Sequence, residues 1–183
     1  MGQVAFKPEM WVKVDGKQTE TTIAEIAPAD VKRIIDRWTE EWSGNQEKLD
    51  DLSGYGLEWA WNTTESIDRR TYALYSTSNE VLALLESIPA ARPAQGLLLK
   101  KAIRLYKSSG QSTIAEAMIA ELSRINREEF RGNGSVVLPE ALNELERHYE
   151  LIGFQKVSDN GDGTCRMLLD EPSAGRLREA WEL

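Results

Sequence analysis

Residues 96–114 read GLLLKKAIRLYKSSGQSTI, an apolar run that passes into a polar, glycine-containing turn. Over 96–106 apolar residues dominate both alternating faces, which is typical of a strand in the middle of a sheet. From Ile114 onward the apolar residues recur at helical spacing instead. This stretch therefore predicts a central strand, a turn over 107–112 and a helix over 113–130.

Two hairpins and a helix are predicted before this strand. Alternating apolar residues on both sides of Asp15 and Gly16 indicate a hairpin near the start of the chain. A proline followed by apolar residues at helical spacing predicts a helix over 28–42. The polar segment 43–58 is interpreted as a loop or short helix, and a second hairpin turns at 76–80.

The pattern after the turn predicts a further strand, a further helix and a closing hairpin. Thr113 and Glu116 have the spacing of a capping box, which predicts that their side chains begin the first of the two helices. A short apolar strand is predicted over 135–139, a helix over 140–152, and a hairpin that turns at 160–163.

The order of these elements predicts the fold class. Strands that alternate with helices in this way indicate a mixed α/β (α+β) fold in which helices cover a sheet. A chain of 183 residues is normally one domain. We therefore expect a single domain over 1–183, with 1–19 as an N-terminal strand extension and 171–183 as a C-terminal tail that forms a short helix or is partly loose.

The charge distribution restricts the classes of partner. The net charge of -8 argues against nucleic acid, because binding phosphates non-specifically needs clustered Lys and Arg. The segment 92–131 is locally basic, however, with eight Lys and Arg against four Glu. This basic segment is interpreted either as solvated faces or as a site for a small anionic ligand.

Cysteine use and hydropathy indicate the compartment. The single cysteine, Cys165, has no disulfide or zinc partner and alternates with apolar residues, so a core thiol and a reducing, cytoplasmic location are expected. His148 is the only histidine, so no metal site is expected, and both residues are interpreted as structural. No signal pattern or apolar run of about 20 residues is present, which predicts no membrane segment.

The turn KSSGQS, Lys107 to Ser112, has the chemistry of a phosphate cradle. Backbone N–H groups and the helix dipole at such a turn attract phosphate oxygens, and Gly110 lets the backbone approach closely. An ordinary polar turn is the alternative.

This turn and the segment HYELIGF, His148 to Phe154, together resemble the GNAT superfamily of acyl-CoA-dependent N-acyltransferases. The turn looks like the pyrophosphate loop of that family, with Lys107 in place of Arg or Gln and Ser112 in place of Gly or Ala. HYELIGF looks like the family's aromatic-Tyr-x-x-x-Gly-Phe ending. The resemblance implies a mostly antiparallel central sheet flanked by helices, and acetyl-CoA as the co-substrate.

The resemblance also implies the site residues. Tyr149 matches the tyrosine that protonates the departing CoA thiolate, and backbone N–H groups around 103–106 are expected to polarise the thioester oxygen. The cofactor-binding residues implied are Leu105, Tyr106, Lys107, Ser108, Ser109, Gly110, Gln111 and Ser112. Two residues are candidates for the general base by their location, Glu86 and Glu58. The alternatives are an ordered water that relays the proton, or a non-catalytic relative of the family.

The acceptor is expected to be a primary amine, on a small molecule or on a protein. An acidic N-terminal half favours a cationic acceptor. A non-catalytic binding protein on the same fold is the rival interpretation, and a toxin that acetylates aminoacyl-tRNA is a third one that the negative charge disfavours. A homodimer is compatible with each of these.

Overall fold

The computed structural model describes residues 10–42, 68–102, 105 and 112–183. In these residues the strands are β1 (Met10–Val14), β2 (Lys17–Ile26), β3 (Arg70–Ser76), β4 (Val81–Ile88), β5 (Ala94–Lys101), β6 (Val136–Leu142), β7 (Gln155–Asp159) and β8 (Thr164–Leu169). The α-helices are α1 (Pro28–Trp42), α2 (Ile114–Glu128), α3 (Glu146–Ile152) and α4 (Glu171–Ala180), and a 3-10 turn, Asn143–Leu145, precedes α3. Among the described helices, none combines the length and apolar character that a membrane span requires.

All eight described strands form one sheet in the order β1-β2-β3-β4-β5-β6-β8-β7. Neighbouring strands run antiparallel except β5 and β6, which are parallel. The predicted mixed, mostly antiparallel sheet with flanking helices is therefore confirmed.

Both predicted early hairpins and the first helix form where the sequence places them. Asp15 and Gly16 have φ of 53° and 74°, the left-handed pair that a tight two-residue hairpin turn requires. The helix α1 buries one face, with Val31, Ile35 and Trp38 in the core. The predicted loop over 43–58 lies outside the described residues.

Two boundary predictions were wrong. The central strand β5 ends at Lys101 rather than continuing to 106, and Leu105 itself has 3-10 conformation. The helix predicted over 140–152 begins at Glu146, because β6 continues through Leu142 with Ala141 opposite Cys165 in β8. Pairing with β8 outweighs the helical spacing of this segment.

The predicted capping box does not form. The Thr113 side chain makes no hydrogen bond to the start of α2. Its Oγ1 instead accepts from the backbone N–H of Lys13, at 2.9 Å, and its own N–H donates to the Lys13 carbonyl at 3.0 Å. A contact across 100 residues of sequence therefore competes with the local cap, and it attaches the start of α2 to β1.

The C-terminal half of the sheet carries a dense core. Cys165, Met167 and Leu169 alternate inward on β8 and are fully buried, so the expected core thiol is confirmed. The helix α4 covers this region, and its N-cap is Asp170, whose carboxylate accepts from the Ser173 N–H. The C-terminal tail is thus a helix.

Asn126, near the end of α2, holds two loops together. Its side-chain Nδ2 donates to the carbonyls of Pro89 and Ala91, at 2.7 and 3.0 Å, and its Oδ1 accepts from the Gly134 N–H at 3.0 Å. Gly132 lies directly against this side chain, so that a Cβ at position 132 would be 2.0 Å from Asn126 Oδ1. Any larger residue at position 132 must displace Asn126.

Replacing Gly132 by alanine is therefore expected to destabilise the protein. We expect Gly132→Ala to lower the free energy of unfolding by about 3 kcal/mol, because the methyl group displaces an amide that makes three buried hydrogen bonds. The matched control is Gly175→Ala in α4, where the nearest heavy atom is 3.8 Å away. This control should gain about 0.5–1 kcal/mol of helix stability. Urea denaturation of both variants measures the difference, and equal unfolding free energies would contradict the role of Asn126.

Candidate active site

The parallel pair β5–β6 opens into a cleft. Only Ala94 with Val136 and Gln95 with Val137 are paired, after which the two strands part. Two residues just beyond these pairs explain the separation: Leu138 packs against Gly96, where a Cβ would be 2.9 Å from its Cδ2, and Pro139 has no N–H to donate to β5. The opening has a volume of about 910 Å³.

Most of the cleft wall comes from β5, the start of α2, the second half of β6 and α3, and Leu145, Leu85 of β4 and Thr164 of β8 also line it. The polar or ionisable lining residues among the described ones are Lys100, Lys101, Ser112, Thr113, Glu116, Glu140, His148, Tyr149 and Thr164. The apolar ones include Leu98, Leu99, Ile119, Leu138 and Leu142. A small molecule with an apolar portion and several polar groups fits a site of this size and composition.

The β5 wall contains a β-bulge. Glu86 of β4 is opposite Leu98 and Ser87 is opposite Gly96, so Leu97 has no residue opposite it in β4. A bulge leaves backbone groups of the extra residue outside the regular ladder. These groups belong to a lining residue of the cleft. The oxyanion donors expected around 103–106 lie beyond the end of β5, and of these four residues only Leu105 is described.

Tyr149 lines the cleft from α3 and is held by the way this helix ends. The Gly153 N–H donates to the carbonyl of Glu150 and the Phe154 N–H to that of Tyr149, both at 3.0 Å, which is the Schellman pattern. Gly153 has the left-handed φ of 114° that this pattern requires. The rings of Tyr149 and Phe154 pack edge to face with their centroids 5.8 Å apart, which holds the tyrosine ring against the buried Phe154.

The predicted cofactor-binding residues are only partly described. Ser112 lines the cleft. Leu105 is buried in the core, and its N–H donates to the Ala102 carbonyl at 2.8 Å, so this group is already bonded within the chain. The remaining predicted residues, Tyr106, Lys107, Ser108, Ser109, Gly110 and Gln111, lie outside the described residues.

Of the two residues predicted as bases, the described one, Glu86, is not brought to the cleft that Tyr149 lines. Glu86 is buried, with its Oε1 accepting from Arg69 Nη1 at 2.8 Å, and it is not among the residues that line the cleft. Glu58 lies outside the described residues. The carboxylates that do line the cleft, within the described part of the chain, are Glu116 and Glu140.

The sequence analysis did not place Lys101 and Glu116 at the site, because they come together only through the packing of β5 and α2. Burial lowers the pKa of both Lys100 and Lys101 from the ordinary lysine value, and the nearby Glu116 carboxylate partly opposes this for Lys101. The Oε2 atom of Glu116 is buried and accepts no hydrogen bond within the described part of the chain. An oxygen of this kind is a potential acceptor for a donor group on a ligand.

His148 also lines the cleft, although the sequence suggested a purely structural residue. The His148 ring packs edge to face with the Tyr149 ring, and their centroids are 5.6 Å apart. Nothing in the sequence separates this solitary histidine from an exposed helical one, and only the position of α3 brings it to the cleft. Among the described residues, no group of His, Cys, Asp and Glu is arranged to hold a metal ion.

Solved structures with a similar fold are acetyltransferases. A mutant of spermidine N-acetyltransferase from Vibrio cholerae aligns with 84% of this chain and 95% of its own, at 13% identity and a TM-score of 0.53. A dodecameric structure of spermidine N-acetyltransferase from the same organism covers 82% of this chain and 94% of its own, at 14% identity and a TM-score of 0.52. The GNAT domain of PAT from S. lividans covers 89% of this chain and 96% of its own, at 16% identity and a TM-score of 0.57.

No protein-family model matches the chain, and no curated protein matches it in sequence. The structural likeness nevertheless extends over most of both chains. The protein therefore has the GNAT fold, as the resemblance predicted.

The conformation of Gly153 gives a test of how Tyr149 is positioned. We expect Gly153→Ala to lower the free energy of unfolding by about 1–2 kcal/mol, because a Cβ is strained at positive φ. Gly153→Asn is the control: asparagine tolerates the left-handed region, so this variant should lower the free energy of unfolding less than Gly153→Ala does. Urea denaturation measures both variants. An alanine variant as stable as the parent would show that the end of α3 does not depend on a left-handed residue.

Proposed function

We propose that the protein is an N-acyltransferase that transfers an acyl group, most simply acetyl, from acyl-CoA to a primary amine. The observation that carries this proposal is the position of Tyr149 on the wall of the cleft between β5 and β6, in a chain with the GNAT fold. A phenol placed beside a bound thioester could supply the proton that the departing thiolate needs.

The cleft has features that suit an acyl-CoA. Its β5 and β6 walls offer apolar side chains to the uncharged arm of the molecule. In the first turn of α2, the Ile114 N–H donates to Ser112 Oγ at 3.4 Å, and the Thr113 side chain, which would have capped the helix, is bonded to Lys13 instead. The next N–H groups of this turn have no acceptor within the helix. Donors of this kind at a helix N-terminus favour phosphate oxygens. The predicted loop over 107–112 would complete such a site.

The proposed reaction forms one bond and breaks another. The neutral amine nitrogen of the acceptor attacks the thioester carbonyl carbon, a C–N bond forms and the C–S bond breaks. Backbone N–H groups of the β5 wall would stabilise the developing oxyanion. The CoA thiolate takes a proton from Tyr149, and the proton lost by the acceptor nitrogen passes to a base or to water.

The base stays a prediction. Glu86 would have to give up its ion pair with Arg69 and reach a cleft that it does not line. Glu116 and Glu140 already lie on the cleft wall, and Glu116 Oε2 accepts no hydrogen bond from any described residue, so these carboxylates favour a cationic acceptor. This agrees in chemistry with the similar spermidine N-acetyltransferases, whose acceptor is a polyamine. We infer an amine acceptor, on a small molecule or on a protein, and a homodimer stays a prediction.

A non-catalytic binding protein is the alternative that one observation favours. The strand β5 contains no carboxylate, and the nearest predicted base is engaged elsewhere. Such a protein would bind acyl-CoA and turn over no acceptor.

Binding of acetyl-CoA is the first test. We expect acetyl-CoA to raise the melting temperature of the protein in a concentration-dependent way, because a ligand that binds only the folded state stabilises it by mass action. Free acetate at the same concentration is the control. Absence of stabilisation at about 1 mM acetyl-CoA, well above a micromolar affinity, would reject the co-substrate.

Removal of the Tyr149 hydroxyl is the second test. In an assay of CoA release against pooled primary amines, we expect Tyr149→Phe to lower kcat roughly 10²- to 10⁴-fold with little change in KM, because the general acid is lost and the ring is kept. The matched control is Tyr75→Phe on β3, which does not line the cleft. An unchanged kcat and pH–rate profile for Tyr149→Phe would reject the acid role. Binding without turnover in the parent protein would favour the non-catalytic alternative.

A further inference from the structure

A second pocket lies at the other end of the β5–β6 pair. The cleft opens beyond the paired residues, whereas this pocket lies just before the two strands begin. It has a volume of about 400 Å³ and is formed by the loop that enters β5 and the loop between α2 and β6. Its lining residues are Arg92, Pro93, Arg131, Gly132, Asn133 and Ser135.

Hydrogen bonds to the buried Asn126 side chain hold these two loops together. The Asn126 amide, which is 1% exposed, bonds to carbonyls of the first loop and to the backbone of the second. The Gly132 N–H also donates to the Asn126 carbonyl at 2.9 Å, and the Ala94 N–H donates to the Ser135 carbonyl at 3.0 Å. The two loops that carry Arg92 and Arg131 are therefore joined to each other by hydrogen bonds.

Both arginines of the pocket lack a carboxylate partner. In the part of the chain that the structure describes, no ion pair joins Arg92 or Arg131 to an acid, and no acid lines the pocket. Arg124 on the neighbouring helix shows the contrast, because it contacts three glutamates. In a protein with a net charge of -8, these two exposed arginines make the pocket locally basic.

The remaining polar groups of the pocket also leave donors available. The Oδ1 of Asn133 accepts from both the N–H and the Oγ of Ser135, at 3.0 and 2.6 Å. These bonds use the acceptor end of the amide and orient it, while its Nδ2 has no acceptor among the described residues. Two guanidinium groups and one amide are thus the free donors, and an oxyanion is the group that they complement.

We propose that this pocket binds a small molecule that carries a phosphate or carboxylate group, held by Arg92 and Arg131. The volume of the pocket exceeds that of a single phosphate ion and lies in the range of small-molecule sites. The site does not depend on the proposed acyl transfer, because none of its residues lines the cleft.

The test is a titration of the full chain with inorganic phosphate and, separately, with citrate, at an ionic strength held constant with sodium chloride. Amide chemical shifts in NMR spectra report the location of binding, and we expect the Gly132, Gly134 and Ser135 amides to move. The stronger ligand of the two shows whether the pocket prefers phosphate or carboxylate. The fitted Kd is then compared among variants.

We expect Arg92→Gln and Arg131→Gln each to weaken binding about tenfold, because each removes a charge-assisted donor. Arg92→Lys should weaken anion binding less than Arg92→Gln, since lysine keeps the positive charge and lacks only the planar guanidinium group. Arg166→Gln, which removes an exposed arginine of β8 outside the pocket, should leave Kd unchanged. The proposal is overturned if neither anion shifts the three amides, or if the Arg92→Gln/Arg131→Gln double variant, folded by its spectrum, binds as tightly as the parent.

Discussion

The separation of β5 from β6 is the constraint on which both sites depend. Two residue pairs join these parallel strands, and beyond them the sheet cannot continue because Leu138 lies over Gly96 and Pro139 offers no N–H. The antiparallel pairing of β6 with β8 keeps the second half of β6 inside the sheet. One short parallel contact thus closes the sheet at one end and opens it into a cleft at the other.

The elements around this opening are positioned by contacts between distant parts of the chain. Thr113 attaches the start of α2 to β1, so that the first turn of this helix lies at the cleft. The end of α3 is fixed by a left-handed glycine and by the packing of Tyr149 on Phe154. The cleft therefore has walls that are held by hydrogen bonds and ring packing before any ligand binds.

Sequence reasoning located most of the elements because their signals are local. The Asp15–Gly16 hairpin, the amphipathic α1 and the glycine that ends α3 each follow from the conformational preferences of a few adjacent residues. It failed where distant pairing competes with a local pattern. Residues 140–142 have helical spacing and join β6, and the Thr113 side chain binds β1 instead of capping its own helix.

The candidate site also has a part that local sequence signals predict and a part that only long-range contacts determine. The sequence by itself determined that a tyrosine precedes a left-handed helix end, and that a strand, turn and helix lie before it in the GNAT order, since these depend on short-range periodicity and glycine conformation. Only the tertiary structure decided which side chains share the cleft. Lys101 and Glu116 line the cleft together with Tyr149 and Glu86 does not, because strand separation and helix packing bring together residues that are far apart in the chain.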